Sequence, residues 1–311
     1  MKHIFIVNPV SGDKKAPEKI YGSLSSFPSD TDIKIYITKG KSDAERYIRQ
    51  YLFDHSDSVR FYACGGDGTL HEVINGAAPF PQASVAVYPC GSGNDFAKCL
   101  GFAVNMLDLP ALVKGVELPV DLMKVNDRFC INICHFGFDS YVAQKMNEVR
   151  SKKLLGGSNA YTTGVVLGLV HAMKNRAVIR ADGENMSGGE FLLCTVANGR
   201  YVGGQYKCAP KAILNDGLLD ICVADPVSRL TFLRLVKQYA EGSHLTDPRF
   251  KRFLRYKQCK HVEIIAEDGF CISLDGEVYP MPKAEIDLIH NGIRITVPEK
   301  ALNSAEAAII R

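Results

Sequence analysis

The chain has 311 residues, 46% of them hydrophobic and 23% charged, with a formal net charge of +3. That is a globular balance, longer than the roughly 250–300 residues one core absorbs and too nearly neutral to mark a nucleic-acid binder. The ten cysteines show no CxxC zinc spacing. Cys64, Cys90, Cys134, Cys194 and Cys222 lie in or beside apolar runs, where a free thiol behaves as a small core residue. The first residues lack the apolar length and cleavage site of a signal peptide. The longest nearly uncharged apolar stretch, around Val165 to Val170, falls far short of the roughly 20 residues of a spanning helix. A reduced, cytoplasmic protein is expected.

In chain order, Ile4–Val7, Ile33–Ile37, Val59–Cys64 and Val85–Tyr88 read as short buried strands. Pro17–Leu24, Asp43–Phe53 and Leu70–Asn75 between them read as helices. This alternation predicts an α/β nucleotide-binding domain with a parallel sheet over residues 1–124. After Leu122 come short strands parted by Gly, Asn and Asp: Phe129–Cys134, Phe191–Ala197, Leu218–Ala224, Val262–Ala266, Cys271–Leu274 and Ile293–Val297. They predict an antiparallel β-sandwich domain over 125–298, interrupted by helical stretches at Tyr141–Met173 and Leu230–Glu241. A closing helix over 299–311 is expected to pack back on the first domain.

Three glycine turns follow strands of the first half. Gly65-Gly66-Asp67-Gly68-Thr69 opens a helix, where bare glycine backbone and free N–H groups suit a phosphate. Two glycines would serve any tight turn. Asp67 is the informative residue, because a carboxylate facing phosphates needs a divalent cation between. Gly91-Ser92-Gly93-Asn94-Asp95 repeats the layout, though Asn94 or Asp95 also suits a helix N-cap. Asn8-Pro9-Val10-Ser11-Gly12 reads equally as a plain turn. Neither a P-loop nor GxGxxG is present. Three such turns on one sheet edge suggest one composite nucleotide site.

Gly65–Thr69 followed by Gly91–Ala97 resembles the diacylglycerol kinase catalytic family, which includes bacterial lipid, sphingosine and ceramide kinases. The resemblance continues through Phe136–Asp139, Gly203-Gly204, Pro210–Ala212, Asn215–Asp220 and Leu274–Glu277, nearly the whole chain. It is similar in layout to the soluble bacterial diacylglycerol kinases. GGDGT alone also occurs in NAD kinases and phosphofructokinases; the Asn-Asp-Phe-Ala turn shifts the reading to lipids. His71 stands where relatives commonly have Asn, and little effect is expected from it.

The resemblance implies an ATP site between the two domains. Its nucleotide contacts would be Asn8, Ser11, Gly12, Thr38, Gly65, Gly66, Asp67, Gly68, Thr69, Glu72, Ser92 and Asn94. It places the catalytic base in Asp275 and Glu277, which alternate onto one side of a strand. Asp67, Asp95 and Asp121 would form an acidic network around Mg²⁺. A structural magnesium would be held by the Asp216 carboxylate and the carbonyls of Ile213 and Leu218, with Asp220 joining through a water. Read without it, Asp275-Gly276 is a hairpin turn and Asn215–Gly217 a loop.

The expected reaction is ATP- and Mg²⁺-dependent phosphorylation of a lipid hydroxyl, diacylglycerol foremost, by a protein transiently at the inner membrane surface. Lys251, Arg252, Arg255, Lys257 and Lys260 form one candidate basic patch; Lys145, Arg150, Lys152 and Lys153 form a second. Either is also explained as a solvated face. Leu154-Leu155 and Val165–Val170 could accept acyl chains or belong to the core. The rival readings are a kinase of a soluble acceptor such as NAD and a catalytically silent nucleotide sensor. A homodimer through an exposed sandwich edge stays open.

Overall fold

The computed structural model describes residues 1–27, 29, 31–100, 105–151, 167–267 and 269–303. Its first half is built on β1 (Lys2–Val7), β2 (Ile33–Ile37), β3 (Val59–Gly65) and β4 (Ala83–Pro89), parallel in the order β2-β1-β3-β4. β3 and β4 are buried along their whole length, as apolar runs must be when helices cover both sheet faces. The helices here are α1 (Ala16–Ser23), α2 (Asp43–Asp54), α3 (Asp67–Ala77), α4 (Asp95–Cys99) and α5 (Leu109–Val113). α2 buries Ala44, Ile48 and Leu52, a four-residue spacing that keeps one stripe on the core. α3 starts at Asp67 itself, earlier than the Leu70 expected, so the glycine turn runs straight into the helix.

The second half adds β5 (Val116–Val125), β6 (Arg128–Cys130), β7 (Ile133–Gly137) and α6 (Phe138–Ser151). β8 (Asn175–Ala181), β9 (Glu184–Asn185), β10 (Glu190–Phe191), β11 (Leu193–Ala197) and β12 (Leu219–Ala224) follow. Then come α7 (Arg229–Glu241), β13 (Leu254–Cys259), β14 (His261–Ala266), β15 (Cys271–Leu274), β16 (Glu277–Pro280) and β17 (Lys283–Val297). An antiparallel sheet, β13-β12-β11-β7-β15-β16, faces β8, β14 and β17 across a second core. This is the antiparallel sandwich expected. Of the helical stretch expected at Tyr141–Met173, 152–166 lie outside the described residues, including Leu154, Leu155, Val165, Lys152 and Lys153.

One feature departs from two separate sheets. β17 continues the parallel sheet beside β4 at Ile295 and Thr296, and it also pairs antiparallel with β5 and β14. Ala284, Ile286 and Leu288 face the second core, while Ile289 ahead of the bulge and Ile293, Ile295 and Val297 after it face the first. The bulge between Ile289 and Ile293 sets three residues opposite Asp121, an even excess that keeps the alternation, so the two faces of one strand serve two cores and lock them together. The chain then ends its described part in a single-turn Glu299–Asn303 helix whose Ala301 is buried in the first core.

All ten cysteines are free, eight of them buried. No helix among the described residues is long and apolar enough to cross a membrane.

Candidate active site

A parallel sheet delivers its loops to the C-terminal strand edge, and along that edge runs a cleft of about 1180 Å³. The glycines let the turns touch backbone to backbone. A Cβ on Gly12, at φ +54°, would lie 1.9 Å from the Cys90 carbonyl oxygen, and one on Gly91 would lie 2.3 Å from Gly66 Cα. Asn8 joins the first turn to the second by donating from Nδ2 to Thr69 Oγ1 at 3.0 Å. Gly12→Ala therefore meets both a carbonyl and a left-handed backbone. It is expected to cost about 2 kcal/mol or more of stability, read by denaturant unfolding; a shift near zero would contradict the packing.

Asn8, Ser11, Gly12, Thr38, Gly66, Asp67, Gly68, Thr69, Glu72 and Ser92 all line the cleft. Two residues expected as nucleotide contacts do not. Gly65 lies beneath the turn, and its missing Cβ makes room for the Thr69 side chain. Asn94 spends its amide on its own turn, accepting from Gly91 N at 3.0 Å and donating to Gly91 O at 2.8 Å. Glu72 borders the cleft, but its carboxylate accepts from Ser42 N at 2.7 Å and Ala44 N at 3.1 Å. It caps α2 and holds the loop after β2 in place.

Asp67 and Asp95 meet over Gly93, whose Cβ position lies 2.7 Å from Asp67 Oδ2 and 3.7 Å from Asp95 Oδ2. Burial, and then the Asp95 charge, push the Asp67 acid well above the ordinary carboxylate range. Asp95 also accepts from Gly204 N at 2.8 Å and Lys98 Nζ at 3.2 Å, which ties the turn to the Gly203-Gly204 loop. Asp121 is elsewhere, a correction to its place in this network. It is fully buried beneath the β17 bulge, accepting from Asn291 N, His290 Nδ1 and Gly217 N at 2.7–2.8 Å. The bulge frees the Asn291 amide from the ladder, and a carboxylate on β5 meets it.

The structure also separates Asp275 from Glu277. Asp275 has a side chain 4% exposed, bonded to His71 Nδ1, Cys130 Sγ and the amides of Ile131, Asn132 and Ile133 at 2.9–3.2 Å. Burial alone would raise its pKa, but His71 and these donors outweigh it and hold the acid below the ordinary range. A carboxylate so fully bonded is a poor proton acceptor, which corrects its half of the base assignment. Glu277 opens β16 at the cleft. A Cβ on Gly68 would lie 3.1 Å from its Oε1, and its Oε2 accepts from Lys41 Nζ at 2.7 Å.

His71 was expected to matter little and is in fact buried, bonded to Asp275 and to the Tyr279 hydroxyl at 3.0 Å. It couples α3 to the β15–β16 hairpin. Lys41 was missed as well. A lysine three residues after Thr38 belongs to no motif, and only the loop anchored by Glu72 brings it over the cleft.

Asp216 accepts from Leu218 N at 3.1 Å in the 213–218 loop, which Asp121 braces through Gly217 N and through its own amide to Leu214 O. Asp220 nearby has a buried Oδ2 with no hydrogen-bond partner among the described residues, and burial raises its acid. An orphaned oxygen beside Asp216 suits a hard cation or its water shell. No cluster of three or more potential metal-ligating side chains occurs among the described residues. Both acidic sites thus require oxygens from carbonyls, water or phosphates.

Beyond Glu277 the cleft turns apolar between α6, α7 and the turn at Phe250, lined by Phe138, Val142, Leu193, Phe232, Leu235 and Leu254. At the junction His135 and Ser273 sit opposite each other on β7 and β15, with Asp139 Oδ2 3.5 Å from His135 Nδ1. His135 Nε2 and Ser273 Oγ are buried without hydrogen-bond partners among the described residues. Burial lowers His135 to about 4 and raises Asp139 to about 7.

A glycine-built strand edge facing acids carried on a β-sandwich is the layout of the diacylglycerol kinase and NAD kinase fold class. Residues 2–125 match the family model "Diacylglycerol kinase catalytic domain" and residues 132–297 "YegS C-terminal NAD kinase beta sandwich-like domain". A "Diacylglycerol kinase" of Bacillus subtilis (strain 168) is 27% identical, covering 95% of this chain and 96% of that protein. A "Probable lipid kinase YegS-like" protein of Pseudomonas aeruginosa is 30% identical, covering 86% of this chain and 85% of that one. In fold, a diacylglycerol kinase from Bacillus anthracis superposes with a TM-score of 0.70 at 24% identity, covering 96% of this chain and 98% of that one. The chain belongs to this family of lipid kinases.

Proposed function

We propose that the protein transfers the γ-phosphoryl group of ATP to the hydroxyl of a membrane lipid, diacylglycerol foremost. The observation that carries this reading is one continuous cleft that is glycine-lined at one end, apolar at the other, and bordered by Glu277 at the junction. Residues 1–124 would hold the nucleotide and 125–298 the acceptor. In this account Ser11, Gly12 and Gly66–Thr69 receive the phosphates, while Lys41 leaves Glu277 to meet the transferred group. Glu277 takes the acceptor's hydroxyl proton as that oxygen bonds to the γ-phosphorus. The bond to the β,γ-bridging oxygen breaks, and ADP leaves. His135, Asp139 and Ser273 would hydrogen-bond the acceptor's polar end.

Asp67 and Asp95 fit magnesium because two carboxylates forced together need a cation, and Mg²⁺ completes its shell with phosphate oxygens and water. Bound there, it would neutralise charge on the phosphates; a second ion at Asp216 would stiffen the 213–218 loop. Asp67→Asn is expected to raise the Mg²⁺ concentration for half-maximal turnover about tenfold or more. An unchanged magnesium dependence contradicts the assignment. The reaction itself is tested by following γ-labelled ATP: label in the solvent-extracted lipid supports it, and label only in free phosphate counts against it.

Of the two basic stretches, Lys152 and Lys153 lie outside the described residues, Lys251 and Arg252 are exposed, and others are paired. Arg255 pairs with Asp225 at 2.6 Å, Lys257 with Glu184 at 2.8 Å and Lys145 with Glu148 at 2.9 Å.

A further inference from the structure

α7 has two faces of different use. Thr231, Phe232, Leu235, Val236 and Tyr239 turn toward the apolar arm of the cleft. The opposite face, at spacings of three, four and seven, carries Leu230, Leu233, Arg234 and Lys237, all exposed. Leu230 is 57% and Leu233 58% exposed. A single exposed leucine needs no explanation; two on one turn, on the outer side of a helix that walls an apolar cavity, call for one.

The patch continues onto the helical run 167–171. Arg229 donates to the carbonyls of Leu169 at 2.6 Å and Val170 at 3.2 Å, and Val170 is itself 55% exposed. The turn that enters the same arm through Phe250 and Phe253 exposes Lys251 and Arg252. The acids nearby are few. Glu241 lies 3.8 Å from Lys237 at the far end of the helix, Asp247 is engaged by Arg249, and Asp225 by Arg255.

We propose that the outer face of α7, with Val170 beside it, docks on an anionic phospholipid bilayer and places the apolar arm of the cleft at the membrane surface. Leucine and valine side chains entering the acyl boundary, with arginine and lysine stems reaching back to lipid phosphates, suit such a surface. A protein partner would be expected to offer acids to these cations, and nothing in the face itself supplies the matching polar pattern. The inference rests on the lipid-acceptor reading for its purpose: an acceptor would move from bilayer to cleft without crossing water. Its measurement needs no turnover.

The full chain is sedimented, without ATP, with vesicles of phosphatidylcholine and phosphatidylglycerol, and with phosphatidylcholine alone. The wild type is expected to prefer the anionic vesicles. Leu230→Ser with Leu233→Ser is expected to lower the partition coefficient about tenfold or more, and Arg234→Gln with Lys237→Gln to abolish the anionic preference. Both pairs should keep the wild-type melting midpoint and the phosphorylation of a short-chain diacylglycerol dissolved below its micelle concentration. Docking is overturned if the wild type stays in the supernatant, if the leucine variant sediments like it, or if the wild type is a dimer that this variant dissociates. Vesicle binding that follows the pattern while short-chain diacylglycerol is never phosphorylated upholds docking and sinks the acceptor assignment instead.

Discussion

Glu277→Gln is expected to reduce turnover by about 10²–10⁴-fold while leaving the fold and nucleotide binding in place. Glutamine keeps the size and one acceptor oxygen of the glutamate but cannot take a proton. Glu277 is half-buried and reaches the cleft from the first residue of β16, with Lys41 on its Oε2. Its removal therefore leaves no set of buried donors stranded, and the melting midpoint should move little. Nucleotide affinity, measured by calorimetry in the absence of acceptor, should stay within a few-fold of the wild type. A variant with wild-type kcat would remove Glu277 from the base role. A variant that loses ATP binding as well would make it a nucleotide contact instead.

Asp275→Asn should fail in a different way, through stability. Asp275 has φ of +51°, a conformation asparagine also tolerates, so the substitution removes charge without straining the backbone. What changes is the match with its surroundings. Three backbone amides, a thiol and His71 all point at the carboxylate. An amide nitrogen turned toward any of them faces a donor, and the loss is expected to be about 2–4 kcal/mol. Because the folded acid is held below its ordinary range, the carboxylate's contribution is complete above the unfolded pKa and lost as pH falls through the folded one. The wild-type advantage over the variant in urea unfolding should thus be full at pH 7 and shrink toward strongly acidic pH. A gap that grew on acidification would contradict the depressed pKa. Activity is expected to fall too, since Asp275 and His71 fix the hairpin on which Glu277 begins.

These two carboxylates mark where sequence reasoning stops. The strands β1 to β4, the helices between them and the three glycine turns were legible because each is local: apolar runs, spacing, and residues with special backbone freedom. The composite site followed from a general rule about parallel sheet edges. Asp275 and Glu277 could not be separated, because a period of two puts them on one side of a strand and says nothing of the turn between. Both line the cleft, and only the long-range arrival of residues 130–133 and His71 buries the Asp275 carboxylate while Glu277 stays accessible. Asp121 was misplaced for a related reason. A lone acid in an apolar strand looks chemical, and the β17 bulge that employs it lies about 170 residues later, with no sequence mark except Asn291-Gly292. The continuity of β17 across both cores was likewise hidden. Its first half alternates charged with apolar residues and reads as a polar edge, with nothing to mark the two cores that its faces serve.

His71 and Lys41 show the converse, residues with no motif that the fold brings to the centre. The apolar arm was illegible because its lining comes from α6, β11, α7 and the turn near Phe250, segments up to about a hundred residues apart. Each alone reads as ordinary core.

The most direct measurement compares Mg-ATP consumption by the full chain in three mixtures: diacylglycerol in mixed micelles, empty micelles, and soluble NAD. Turnover only with diacylglycerol, yielding a phosphomonoester on its free hydroxyl, is the predicted result. Turnover with NAD in the absence of lipid, and none with diacylglycerol, would contradict it.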